Sequence, residues 1–155
     1  FCGQDQPAPF ISTGNNMCVK FFSDESQSGQ GFKASFSAIN RPSNPGDQCG
    51  AILTAPIGLI TSPNYPESYP GNELCNMTIK VDKGPIKVAF QSFDIGTENN
   101  CDDDYLMFHD NTGTTRRLCG GQIPDAFSTD SNEMKLSFRT GPQIGRTKSG
   151  FVATY

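Results

Sequence analysis

Carboxylates crowd one stretch of this 155-residue chain: Asp94, Glu98, Asp102, Asp103, Asp104 and Asp110. Oxygen donors gathered at one junction of loop and strand are the ligand set of a hard cation such as calcium. The same residues are poor material for paired acid–base work. Glycoside hydrolysis needs two carboxyl groups whose pKa values are pushed apart, and a polar stretch has no apolar pocket to raise one of them. The single histidine, His109, precedes Asp110. A histidine at the end of a strand beside an aspartate reads as a surface residue, and no G-x-S-x-G nucleophile motif accompanies it. Binding, not catalysis, is the expected chemistry.

A second set is cationic: Arg116, Arg117, Lys135, Arg139, Arg146 and Lys148. Lys135 and Arg139 share the parity of one strand, so they project from the same side. Such a face would suit a sulfated glycan or an acidic partner, but a mixed-charge sandwich surface is the favoured account of these residues. The formal net charge of −4 argues against a nucleic-acid track, which needs clustered Lys and Arg.

Six cysteines, Cys2, Cys18, Cys49, Cys75, Cys101 and Cys119, are widely spaced. None forms a C-x-x-C pair, which leaves little for a zinc ribbon or a thioredoxin-type site. An even count predicts a disulfide framework and an oxidising compartment, with Cys49–Cys75 and Cys101–Cys119 as the natural local pairs. Asn76-Met77-Thr78 is a sequon that makes Asn76 a candidate glycosylation site. No run of about 18 apolar residues spans a membrane, and no leader segment is recognisable. A mature or excised piece of a secreted protein is the expectation.

The elements that must position these residues are strands. Ile86, Val88 and Phe90 fall on one face of residues 86–90, and Met134–Arg139 alternates without a break. Phe151, Ala153 and Tyr155 repeat the pattern. A period of two means half-buried antiparallel strands. The more continuous apolar run Tyr105–Phe108 predicts a strand covered on both faces. Sixteen Gly and 11 Pro punctuate these segments with turns. Many short strands and no helical period predict an all-β sandwich or barrel. Residues 61–72, rich in Pro and Tyr, cannot be a central strand and are expected to form a rigid loop.

One pattern occurs one and a half times. Residues 2–36 reappear as residues 119–155: Cys2 matches Cys119, Pro7 matches Pro124, Phe10 matches Phe127, and Asn15 matches Asn132. Met17, Val19 and Phe21 match Met134, Leu136 and Phe138, and Gly31-Phe32 matches Gly150-Phe151. The front half, Cys49 to Leu118, occurs once. The expected organisation is the C-terminal half of a module in residues 1–37, a linker of small polar residues and Pro over 38–48, and a complete module over 49–155. Strand edges at residues 17–21 and 32–36 would then lie unpaired unless another chain completes them. Cys18 aligns with Lys135, outside the repeated cysteine pattern. Cys2 and Cys18 either pair with each other or bond to another chain.

Cys49-Gly50, Gly58-Leu59-Ile60-Thr61-Ser62-Pro63-Asn64-Tyr65-Pro66, Tyr69-Pro70 and Cys75 resemble the opening of a CUB domain. Phe90-Gln91-Ser92-Phe93-Asp94, Cys101, Asp104-Tyr105-Leu106, Leu118-Cys119-Gly120, Phe138 and Gly150-Phe151 continue the resemblance in the same order. It implies a jelly-roll-like antiparallel β-sandwich stapled by the two local disulfides, in a secreted protein with tandem modules. Met77 stands where many relatives carry Trp. Many members bind calcium through one Glu, two Asp and a supporting Tyr. Tyr69 and Asp104 match that set, but Gly96 stands where the Glu is expected and Gly141 where the second Asp is expected. The resemblance therefore implies only a remnant calcium site here. Asp24 keeps the aspartate that Gly141 has lost, but in the fragmentary first module. The function implied is a non-enzymatic extracellular module binding protein or glycan through strand-end loops 61–72, 94–104, 111–116 and 141–148. The alternatives are an accessory region of a secreted protease and a component of an extracellular coat or matrix.

Overall fold

The structure is a computed structural model and describes residues 1–4, 7, 10, 12, 14–26, 28–36, 38, 48–97, 101–142 and 147–155. Among the described residues nine strands form from Ile52 onward: β1 (Ile52–Leu53), β2 (Leu59–Thr61), β3 (Leu74–Lys80), β4 (Lys87–Asp94), β5 (Tyr105–Asp110), β6 (Thr115–Leu118), β7 (Phe127–Ser128), β8 (Glu133–Arg139) and β9 (Gly150–Thr154). They make two sheets, β1-β3-β8-β5-β6 and β2-β9-β4-β7. All pairings are antiparallel except β1 with β3, a short parallel match of Ile52 with Thr78 and Leu53 with Ile79. Among the described residues no helix is long and apolar enough to cross a membrane.

The period of two sorts each strand into core and surface. On β8, Met134, Leu136 and Phe138 are buried while Lys135 and Arg139 are exposed. Met77 and Ile79 of β3, Leu106 and Phe108 of β5, and Val88, Phe90 and Phe93 of β4 meet them between the sheets. Phe90 packs edge-on against Phe93, Phe108 and Phe151 at centroid distances of 5.2, 6.1 and 6.2 Å. Each such side chain, fully buried, contributes roughly 1.5–3 kcal/mol. Cys49–Cys75 ties the start of the module to β3, and Cys101–Cys119 ties the segment before β5 to the one after β6, with Cα–Cα distances of 4.8 and 5.5 Å.

Two expectations change. The run Tyr105–Phe108 is not packed on both faces: Leu106 and Phe108 enter the core, whereas Met107 is half-buried on the outer face. Tyr105 is buried there, with the Arg117 guanidinium 4.4 Å from its ring centroid. Gln48, assigned to the linker, belongs to the module. It is buried, its Nε2 donates to the Leu59 carbonyl at 2.7 Å, and its Oε1 accepts from the Thr61 amide at 3.1 Å. Residues 39–47 of the linker lie outside the described residues.

The described residues of 1–36 form no strand, and Met17, Val19, Phe21, Phe32 and Phe36 are exposed. The sandwich explains why. Strand β8, the counterpart of residues 16–22, is held between β3 and β5, and β9, the counterpart of 31–35, lies between β2 and β4. All four neighbours come from the half of the pattern that occurs once. Without ladder partners, alternation alone does not make a strand. Local backbone survives nonetheless: Gly31 and Gly150 keep φ of 74° and 80°, and Gly3 and Gly120 keep 89° and 99°.

Candidate functional site

The described residues of loops 62–73, 95–97 with 101–104, and 140–142 with 147–149 meet at one end of the sandwich, because β3 begins opposite the end of β8 and β4 ends opposite the start of β9. The loop after β5, proposed from sequence as a fourth member, lies at the other end, since β5 runs away from Tyr105 toward Asp110.

Asp104 sits at the centre of the convergence and is 3% exposed. The Tyr69 hydroxyl donates to its Oδ2 at 2.8 Å. The Gly141 amide donates to its Oδ1 at 2.7 Å. The Gly96 amide donates in turn to the Tyr69 hydroxyl oxygen at 3.0 Å. Tyr69 reaches this point because the Pro-rich loop after β2 carries its ring into the core, where it meets Phe138 edge-on at 5.1 Å. One buried carboxylate thus joins three loops through charge-assisted bonds.

Further bonds secure the same end. Thr140 Oγ1 donates to the Pro70 carbonyl at 2.8 Å and accepts from the Glu73 amide at 2.9 Å. The Asn72 amide donates to the Gly141 carbonyl at 2.9 Å. Lys148 Nζ pairs with Asp94 Oδ1 at 2.6 Å, and the Ser149 amide donates to Asp94 Oδ2 at 3.3 Å. Sequence reasoning did not find the Thr140 clamp or the Gly141 bond. The only signal was Gly141 itself, a small residue in the place of an expected aspartate.

Both glycines are fitted to this arrangement. A Cβ on Gly96, at φ 56°, would stand 3.0 Å from the Asp104 Cβ and 3.2 Å from its carbonyl oxygen. A Cβ on Gly141 would stand 2.9 Å from the Asp103 Cβ.

Of the other acidic candidates, only Asp103 borders Gly141 among the described residues. Asp94 is taken by Lys148, Asp102 and Asp103 are exposed, and Glu98 lies outside the described residues. Asp110 is at the far end of β5. Its Oδ1 accepts from the Thr112 hydroxyl at 2.7 Å, the Thr112 amide at 3.0 Å and the Thr114 amide at 2.9 Å. The Thr112 hydroxyl bond is the main cause that holds this carboxyl below its usual range; burial opposes it, and the two amides and His109 add to it. His109 points to the opposite, exposed face, with Nδ1 3.0 Å from the Thr115 hydroxyl. The two residues alternate across the strand and form no dyad. Asp24 accepts from the Ser26 amide and hydroxyl at 2.9 and 2.7 Å in a local turn.

The cationic candidates divide as well. Arg116 stacks on Phe127 at 4.6 Å, while Arg117 stacks on Tyr105 on the other side of the sheet. Arg117, Lys135 and Arg139 share the outer face of the five-stranded sheet. Arg146 lies outside the described residues. Asn76 projects from that same face, its Oδ1 accepting from the Ser137 hydroxyl at 2.7 Å. Cys2 and Cys18 are free and exposed.

The family model for the CUB domain matches residues 1–36 and 49–155. Procollagen C-endopeptidase enhancer 2 of Homo sapiens is 34% identical over 100% of this chain and 39% of its own length. Bone morphogenetic protein 1 of Xenopus laevis is 32% identical over 100% of this chain and 21% of its own length. Cubilin of Canis lupus familiaris is 35% identical over 97% of this chain and 4% of its own length. The chain therefore spans well under half of each of these relatives. The crystal structure of the MASP-1 CUB2 domain bound to Ca2+ superposes with a TM-score of 0.63 at 28% identity, covering 68% of this chain and 96% of that one.

Proposed function

We propose, from the premise that the chain belongs to the CUB domain family, that residues 49–155 form an extracellular, non-enzymatic module that recognises a protein or glycan through the loops at the Asp104 end of the sandwich. Residues 1–37 are read as the second half of a preceding module, joined through 38–47, with Gln48 part of the complete module. The observation that carries the proposal is the bonding of Asp104 to Tyr69 and Gly141, which fixes three loops as one surface. Preorganised loops on a rigid sandwich bind with little ordering cost. The two disulfides suit an oxidising, extracellular setting.

This surface works without calcium. A calcium ion takes six to eight oxygen donors, whereas the central Asp104 carboxylate already accepts an O–H and an N–H through its two oxygens, and the neighbouring Asp103 is exposed. The glutamate and the second aspartate are replaced by Gly96 and Gly141, which bring no side-chain oxygen. Among the described residues no group of three His, Cys, Asp or Glu side chains could hold a metal. The residues present do not fit the ion that the MASP-1 domain holds.

Screening of the full chain against extracellular proteins and glycans, in calcium and in EDTA, tests the proposal. The expected ligand is retained in EDTA and is weakened by Tyr65→Ala and Glu67→Ala in the loop after β2. Binding that needs calcium, or that ignores both changes, overturns it. An accessory role beside a secreted protease is the second reading, favoured by a relative named as an enhancer of procollagen C-endopeptidase. A change in the rate of such a protease on adding the full chain would support it.

A further inference from the structure

The outer face of the five-stranded sheet runs against the charge of the chain. The chain carries −4, yet the described strand residues of this face present Lys80, Arg117, Lys135 and Arg139 against one carboxylate, Glu133. That carboxylate is already paired with Lys80 at 3.1 Å. Arg117, Lys135 and Arg139 form no ion pair among the described residues.

Register places these three cations together. Arg139 stands directly across from Tyr105. Arg117 stands across from Met107 and lies over the Tyr105 ring. Lys135 stands across from His109. Stacking on Tyr105 holds the Arg117 guanidinium flat against the sheet, so its donors are ordered before any ligand arrives. With about 3.3 Å per residue along a strand and about 4.8 Å between strands, Lys135 and Arg139 are roughly 13 Å apart, and Arg117 is roughly 10 Å from β8. That span exceeds one phosphate or carboxylate. The surface is a sheet face, without a cavity to enclose a small ligand.

We propose that this face binds a sulfated polysaccharide of the glycosaminoglycan class. The proposal rests on the extracellular reading above but uses a different surface from the loop end. An extended polyanion with repeated anionic groups matches three separated cations on a flat surface, and guanidinium forks match tetrahedral oxyanions. An acidic polypeptide is the competing occupant.

The test uses heparin as the probe and the full chain secreted from a eukaryotic host, alongside its Asn76→Gln variant, so that retention of both forms shows the face stays open beside a sugar on Asn76. Retention on immobilised heparin at physiological salt is expected, with affinity falling steeply as salt rises. The triple variant Arg117→Ala/Lys135→Ala/Arg139→Ala should lose roughly tenfold to a hundredfold in affinity. The charge-matched variant Lys20→Ala/Lys33→Ala/Lys83→Ala, which leaves this face intact, should bind as the parent does. Unchanged thermal melting of both variants would show that binding and not folding is read. No retention, equal loss in both variants, or tighter binding to poly-L-glutamate than to heparin overturns the proposal. If heparin binding fails while a loop-dependent ligand is still held, the extracellular reading stands and only this face is wrong.

Discussion

Replacing Tyr69 by Phe tests whether hydrogen bonds hold the loop end together. The substitution keeps the ring, and with it the edge-on contact with Phe138, but removes one oxygen that serves two partners. Asp104 Oδ2 loses a donor at 2.8 Å and the Gly96 amide loses its acceptor at 3.0 Å. A hydrogen bond to a charged group contributes about 1.5–3 kcal/mol, and a buried amide left without a partner costs about 1–3 kcal/mol. The two losses share one atom and do not add fully, so about 2–4 kcal/mol is expected. For a domain near 100 residues this lowers Tm by roughly 10–20 °C. Thermal melts followed by circular dichroism, with EDTA and with millimolar calcium, measure it. The fall should be the same in both buffers, and the parent chain should melt at the same temperature in both. A tight metal site would instead add about 2.7 kcal/mol when calcium exceeds Kd a hundredfold. A fall below about 3 °C, or a parent chain that calcium stabilises by several degrees, would refute the hydrogen-bonded reading of Asp104.

Three further outcomes are expected. The Asp110 carboxyl is held below its ordinary range, so its stabilisation is present above the unfolded value of about 3.9 and is lost as pH falls through the lower folded value; Asp110→Asn should flatten the acid limb of a stability–pH curve measured by urea unfolding. Gly150→Ala should destabilise by about 2–4 kcal/mol, because Gly150 has φ of 80° and a Cβ there would collide with the Ser62 hydroxyl, and a denaturant midpoint equal to that of the parent would show the backbone is freer than described. Secretion from a eukaryotic host should add a glycan mass that Asn76→Gln removes, since Asn76 is exposed on the outer sheet face; equal masses would show the sequon is unused.

What the sequence disclosed and what it withheld divide along the range of the interaction. Alternation is a property of neighbouring residues, so Met134, Leu136 and Phe138 could be assigned to the core, and Lys135 and Arg139 to the surface, before any fold was known. The same alternation in Met17, Val19 and Phe21 was equally readable, yet no strand forms there. The pattern says which side a strand would bury, and only neighbours such as β3 and β5 decide that it is a strand at all. The site depends still more on distant pairing. Gly141 looked like the loss of a calcium ligand. Its amide is also a donor to a carboxylate 37 residues away in the chain, a contact set by the register of β5 on β8. Likewise Arg116 and Arg117 are adjacent in sequence but lie on opposite faces of β6, over Phe127 and Tyr105 respectively. A list of cations could not separate them; the pairing of Met107 with Arg117 does. Residue type therefore fixed which chemistry was available, and strand register determined where it could be assembled. That is why Asp94, Asp104 and Asp110 serve separate structural roles, while three cations drawn from β6 and β8 came to share one surface.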